Sequence, residues 1–207
     1  MSRSPARAQY DESLRHGILT EATRRLRDAE PSTLGLRPLA ASQGTSTTAI
    51  YTMFGGKSGL LAAVAAEADR QLATALREVL GHDSVETDMR ALCRAYRRWA
   101  LENPGLYGLV VGDPAPTHRP EVAAAGPQWR RPLLELVDAL VDEGLFRDAD
   151  VHEISTSIWA SLHGVVSLEI GVWRESPSAE QYFETQLAAT LRSWTAGGSA
   201  AVTGAAV

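Results

Sequence analysis

One short run of side chains is suited to touching a polyanion. Ser46, Thr47, Thr48, Tyr51 and Thr52 stand close together, and Lys57, the sole lysine of the chain, follows five residues later. No position from 45 to 58 is acidic. Hydroxyls can bond phosphate oxygens or base edges, and threonine methyls can touch thymine methyls. Tyr51 can reach a phosphate, and Arg37 upstream can contact the backbone or a base edge. Gly55-Gly56 precede Lys57. Free amides and the positive dipole end of a helix starting there would hold a phosphate, with Lys57 assisting.

A second set of residues is aromatic. Trp159 and His163 lie four apart, on one face of a helix. Met89, Trp99, Tyr107 and Trp129 could line a cavity with them. Two readings stand side by side: ordinary core packing, with His163 wedged between helices beside Gly164, or a ligand pocket with His163 as its polar handle. The five histidines (16, 82, 118, 152 and 163) show no metal-ligand spacing. Gly56-Lys57-Ser58 is no phosphate-binding loop, because Tyr51 occupies the place of the required earlier glycine and no strand precedes it. No nucleophile motif frames the serines. The reading is therefore a non-enzyme with no metal and no cofactor.

The 207 residues are 44% hydrophobic and 22% charged, ordinary for a globular chain. A lone Cys93 excludes an internal disulfide and fits a reducing cytoplasm. No apolar run reaches membrane-spanning length, and the polar start from Met1 to Arg7 predicts no secretory signal. The expectation is a cytoplasmic protein with no membrane partner. The net charge of −5 is uneven: residues 1–60 carry eight basic and five acidic side chains, the remainder twelve and twenty. A basic front on an acidic body points to a polyanionic partner at the front.

The elements that must position these residues are helical, because apolar residues recur at helical spacing and nowhere alternate. Leu14, Ile18, Leu19, Ala22 and Leu26 make one stripe. A short helix over 36–42, a turn at Gln43-Gly44-Thr45, and a second helix over 47–54 capped by Ser46 follow, packed through Leu39, Ala40, Ile50 and Phe54. A long helix from Lys57 to Leu80 stops at Gly81. Asp83 with Glu86, Asp150 with Glu153 and Ser178 with Gln181 have the form of capping boxes. The helices they open end at Asn103-Pro104, near Trp173 and near Trp194. Another runs from about Pro132 to Glu143. Pro114, Pro116, Pro120 and Pro127 predict an irregular stretch, and Ala196–Val207 a disordered tail. The fold class is all-α, with roughly nine helices.

The segment from Leu34 to Leu61, with the helix before it, resembles the DNA-binding domain of the TetR family of bacterial transcriptional regulators. The matching stretches are Leu34 to Ala40, Thr45-Ser46 with Ile50-Tyr51 and Phe54, and Gly55 through Lys57 to Leu60-Leu61. Met53 departs from a common His, and Gly56 from a common capping residue. Ile158–Glu169 more weakly resembles the Trp-x-x-x-His-Gly motif of one subgroup's regulatory domain, and Arg97–Tyr107 its helix-to-proline junction. The resemblance implies a three-helix helix-turn-helix DNA-binding domain over 8–56, a helical ligand-binding and dimerisation domain over 57–195, and the tail 196–207. It also implies a repressor released from DNA by a small apolar ligand. Since one short helix buries too little for tight binding, a homodimer on a palindromic duplex is expected. It would pair through the last two helices, with Trp173, Leu187, Leu191 and Trp194 as candidates. The alternative is a helical small-molecule-binding or interaction protein whose front domain is only a scaffold.

Overall fold

The structure, a computed structural model, describes residues 5–82, 84–111 and 127–197. Among them nine α-helices occur and no strand, only an isolated bridge between Phe146 and Thr195. The expected irregular stretch around Pro114, Pro116 and Pro120 lies outside the described residues, as do 198–207 of the expected tail. Ala196 is described, and its amide donates to the Leu145 carbonyl.

The chain forms two compact units: residues 1–71 with 102–127, and 72–101 with 128–207. The first holds α1 (Pro5–Arg25), a 3-10 turn (Pro31–Thr33), α2 (Leu36–Ser42), α3 (Thr47–Phe54), the start of α4 (Lys57–Arg77) and α6 (Pro104–Val111). Its core is the predicted stripe, with Ile18, Ala22 and Leu26 fully buried beside Leu39 and Ile50. Phe54 is only half-buried, with the Arg15 guanidinium 5.0 Å from its ring centre.

Within this unit α6 is welded to the end of α1. Gly105 N donates to Arg27 O (2.8 Å), and Arg27 Nε donates to the Asn103 side chain (3.0 Å). A Cβ at position 105 would lie 2.6 Å from Ala29 O and nearer still to Leu26 O, so only glycine fits this approach.

The second unit holds the rest of α4, α5 (Val85–Glu102, all but its last residue), α7 (Arg130–Asp142), α8 (Val151–Gly171) and α9 (Ala179–Trp194). Here α8 packs against both α7 and α9. Arg97 of α5 makes a paired contact to the nearly buried Glu169 of α8 (2.6 and 2.8 Å) while its guanidinium lies 5.2 Å from the Phe183 ring. Arg94 pairs likewise with Glu184 of α9 (2.7 and 2.9 Å).

The three capping expectations fare differently. The Asp150 carboxylate accepts from Glu153 N at 2.9 Å, as its spacing predicts. At α5 the cap is Ser84, one residue later than expected, whose hydroxyl accepts from Thr87 N at 3.3 Å. Asp83 lies outside the described residues. Ser178 makes no side-chain cap, because its backbone is already helical (φ −95°, ψ −3°). Leu187, Leu191 and Trp194 require a correction as pairing candidates: they are 1%, 4% and 5% exposed, inside their own protomer's core. The exposed large apolar residues of α8, its C-terminal end and α9 are Leu168, Val172 and Tyr182, the last with its ring tilted against half-buried Trp173 at 5.1 Å.

Candidate functional sites

The first candidate site is built by α2, α3 and their turn. Gly44 takes φ +61°, which an L side chain rarely adopts, and Thr45 N closes the turn onto Ala40 O at 3.0 Å. Ser46 is extended (φ −104°, ψ 160°), and its hydroxyl accepts from Ala49 N at 3.4 Å. Ile50 anchors α3 with no exposure, against Leu39 and Ala40, which are equally buried. Rotation of α3 is thereby fixed: Thr48, Tyr51 and Thr52 are exposed and Thr47 half-exposed. Tyr51 is 60% exposed. Thr52 Oγ1 donates back to Thr48 O (3.0 Å), so its hydroxyl keeps acceptor capacity.

Gly55 ends α3 at φ +76°, and Gly56 follows at φ +104°. A Cβ on Gly56 would meet the Tyr51 ring at 2.9 Å, so the glycine lets that ring lie against the backbone. The two glycines turn the chain through 63° from α3 to α4. Gly59 in the first turn of α4 faces the Phe54 carbonyl too closely for any Cβ. Arg37 is exposed, and with Gly35, Leu36, Pro38, Thr47 and Tyr51 it lines an open depression of about 450 Å³. Lys57 has a partner that its sequence context does not reveal. Its Nζ donates to Ser32 O at 2.8 Å, tying the 3-10 turn to the head of α4.

On α1, Arg24 and Arg25 both grip Glu21 (2.7 and 2.8 Å), holding its carboxyl down to about 2. These two arginines are thus partly neutralised, whereas exposed Arg37 makes no salt bridge among the described residues.

The second candidate site lies in the second unit. Of the aromatic candidates, the structure brings Trp129, Trp159 and His163 into one chain of rings and adds Tyr96 of α5. Successive centroids from Tyr96 to Trp129, Trp159 and His163 are each 5.7 Å apart. Trp159 Nε1 donates to Tyr96 Oη at 3.3 Å. Tyr96 and Trp129 are buried, Trp159 and His163 half-buried. Burial pushes the His163 imidazole below its ordinary value. Met89 and Trp99 are buried on α5, while Tyr107 is buried on α6, in the first unit. Arg130 also joins the ring chain, its guanidinium 5.1 Å from the Trp159 centroid. Neither Tyr96 nor Arg130 shares a helix with Trp159, so no spacing within the sequence reveals them.

No group of three or more potential metal ligands occurs among the described residues. Nor is any single helix there long and apolar enough to cross a membrane.

The family model for a tetracyclin repressor-like C-terminal domain matches residues 89–190. HTH-type transcriptional regulators of Mycobacterium bovis and Mycobacterium tuberculosis are 31% identical over 119 residues. That match covers 56% of this chain and 51% of theirs, so the chain spans about half the length of the curated relatives it matches. Among solved structures, a protein of unknown function from Rhodococcus sp. RHA1 superposes with TM-score 0.77 at 24% identity, covering 88% of this chain and 95% of its own. RolR, solved in complex with resorcinol, superposes with TM-score 0.65 at 24% identity, covering 92% of each chain.

Proposed function

We propose, from the premise that the chain belongs with the TetR family of transcriptional regulators, that it is a sequence-specific repressor whose α3 enters the major groove of an operator duplex. The observation that carries this reading is the outward row of α3. Thr47, Thr48, Tyr51 and Thr52 present hydroxyls and methyls without one acidic group, on a helix whose opposite side is locked by Ile50. Thr47 and Thr48 stand at the α3 N-terminus, where base-reading side chains of such helices project. Ser46 and Arg37 adjoin that row and would hold phosphates, fixing register while α3 reads bases. Lys57 keeps two N–H donors beyond its bond to Ser32 for a phosphate.

The repressor acts as a homodimer on a palindromic site. Leu168, Val172 and Tyr182 (45%, 69% and 47% exposed) supply the apolar centre of the pairing surface in this reading. The Trp159–His163–Gly164 stretch serves as the subgroup's ligand motif in this reading, with Trp129 against it and Met89 and Trp99 as further candidates of the same unit. That RolR, a solved neighbour of the same fold, was captured with resorcinol supports a small-molecule ligand for this chain. Ligand gating needs a state that binds ligand well and DNA poorly. A coupling of about 2–3 kcal/mol lowers operator affinity roughly 30- to 150-fold. α4 is one unbroken helix from Lys57 to Arg77, beginning in the DNA-reading unit and ending in the other, which suits it as the lever.

The test is selection from random duplexes followed by fluorescence anisotropy. The full chain is expected to enrich a palindrome, and Tyr51→Ala to weaken binding about tenfold, in line with about 1–3 kcal/mol for a lost base-region contact, with an unchanged unfolding midpoint. A folded chain that binds no duplex at ~50 mM salt, where phosphate contacts are strongest, overturns this reading and leaves the scaffold alternative.

A further inference from the structure

A cation flanks the ring chain of the second unit at Trp159. Arg130 opens α7 with its guanidinium 5.1 Å from the Trp159 centroid, and one of its nitrogens donates to Thr156 Oγ1 at 3.0 Å. Its Nε is buried yet meets no acceptor among the described residues. A guanidinium that serves only to pack a helix normally places its buried N–H on a carbonyl or carboxylate, because leaving it unpaired is unfavourable. Two arginines of α5 do so: Arg97 grips Glu169 and Arg94 grips Glu184, each by Nε and a terminal nitrogen. Arg130 has an aromatic neighbour, as Arg97 has in Phe183, but differs from it in its unpaired inner donor.

We propose that this place binds a flat aromatic anion, its ring against Trp159 and His163 and its carboxylate or phenolate on the Arg130 guanidinium. The inference rests on reading the aromatic cluster as a ligand wall, and it changes the expected ligand from plainly apolar to aromatic and acidic. Trp159, His163 and Arg130 are half-buried and so partly reachable from solvent, while Tyr96 and Trp129 are buried behind them in the ring chain. Tyr96 orients that wall by accepting the Trp159 indole N–H. The planar fork of arginine suits a carboxylate far better than a point-like ammonium would, and its face is already stacked.

The test is calorimetric titration of the full chain, without DNA, using 2-naphthoate and the neutral 2-naphthylmethanol. The wild type is expected to bind the carboxylate at least about tenfold more tightly, the step a charge-assisted fork contributes. Arg130→Gln should erase that preference while holding the alcohol within two- to threefold. Arg130→Lys should restore only part of it, and Trp159→Leu should weaken both compounds. Retained near-ultraviolet dichroism shows that each variant is folded. If neither compound binds up to ~1 mM, or both bind alike, or Arg130→Gln keeps the preference, the assignment is wrong. Because no duplex is present, carboxylate binding by a chain that ignores DNA would sink the repressor reading while leaving this site standing.

Discussion

Replacing Gly105 by alanine tests the weld between α1 and α6. The added Cβ would sit 2.6 Å from Ala29 O, where ordinary contact begins at 3.4 Å, and it would be closer still to Leu26 O. The α6 start must therefore retreat by about 0.8 Å or more. The atoms it meets are backbone, so no flexible side chain can absorb the shift. Such overpacking costs about 1–3 kcal/mol. The Gly105 N to Arg27 O bond, 2.8 Å long, is stretched or lost as well, at about 0.5–1.5 kcal/mol. The expected loss is about 2–4 kcal/mol, which at a urea slope of about 2–3 kcal/mol/M lowers the midpoint by about 1–2 M. Gly108 on the same helix is the control. Nothing among the described residues lies within 4 Å of a Cβ there, so Gly108→Ala should gain about 0.5–1 kcal/mol from helix propensity. If urea unfolding gives the two variants the same midpoint, the close approach is not what holds α6.

Three further outcomes follow from charge and burial. Lys57→Gln should lower the slope of log affinity against log salt by about 0.9, the share of one phosphate contact; an unchanged slope means the amine is spent on Ser32 alone. Cys93 is fully buried and its thiol is pushed up to about 12, so iodoacetamide at pH 8 should leave the native chain untouched and modify it only in denaturant. His163 is lowered by burial, so the unfolded chain takes up a proton first as pH falls. Its neutral form favours folding above about pH 6.5, and that stabilisation fades below it. The unfolding free-energy difference between wild type and His163→Asn should shrink from pH 7 to pH 5, and a constant difference would show that the ring is solvated.

The helix-turn-helix was legible because its determinants are local. Gly44 at the turn, Ser46 at the cap and the Leu39–Ile50 contact sit within a dozen residues, and each does what its side chain dictates. Helix starts were less legible where two residues compete. Asp83 and Ser84 can both cap, with Glu86 and Thr87 each three residues on, and local spacing does not choose between the frames. At α9 a favourable residue, Ser178, is disarmed by a helical backbone. Periodicity marked Leu187, Leu191 and Trp194 as one apolar face but could not say whether that face meets a second copy or its own core; packing against α8 decides for the core. For the aromatic site, Trp159 and His163 were visible as neighbours on one helix. Tyr96 and Arg130 arrive from elements 63 and 29 positions away, through tertiary packing that no local pattern encodes.

The chain possesses a single ε-amine, and it is the hook that fastens Ser32 to the head of α4. Any acyl group placed on a lysine side chain of this protein, by an enzyme or by a labelling reagent, must therefore land beside the C-terminal end of α3. Such an adduct would remove the charge and crowd the 3-10 turn in one event. Apart from the α-amine, an amine-reactive dye would likewise report on this corner.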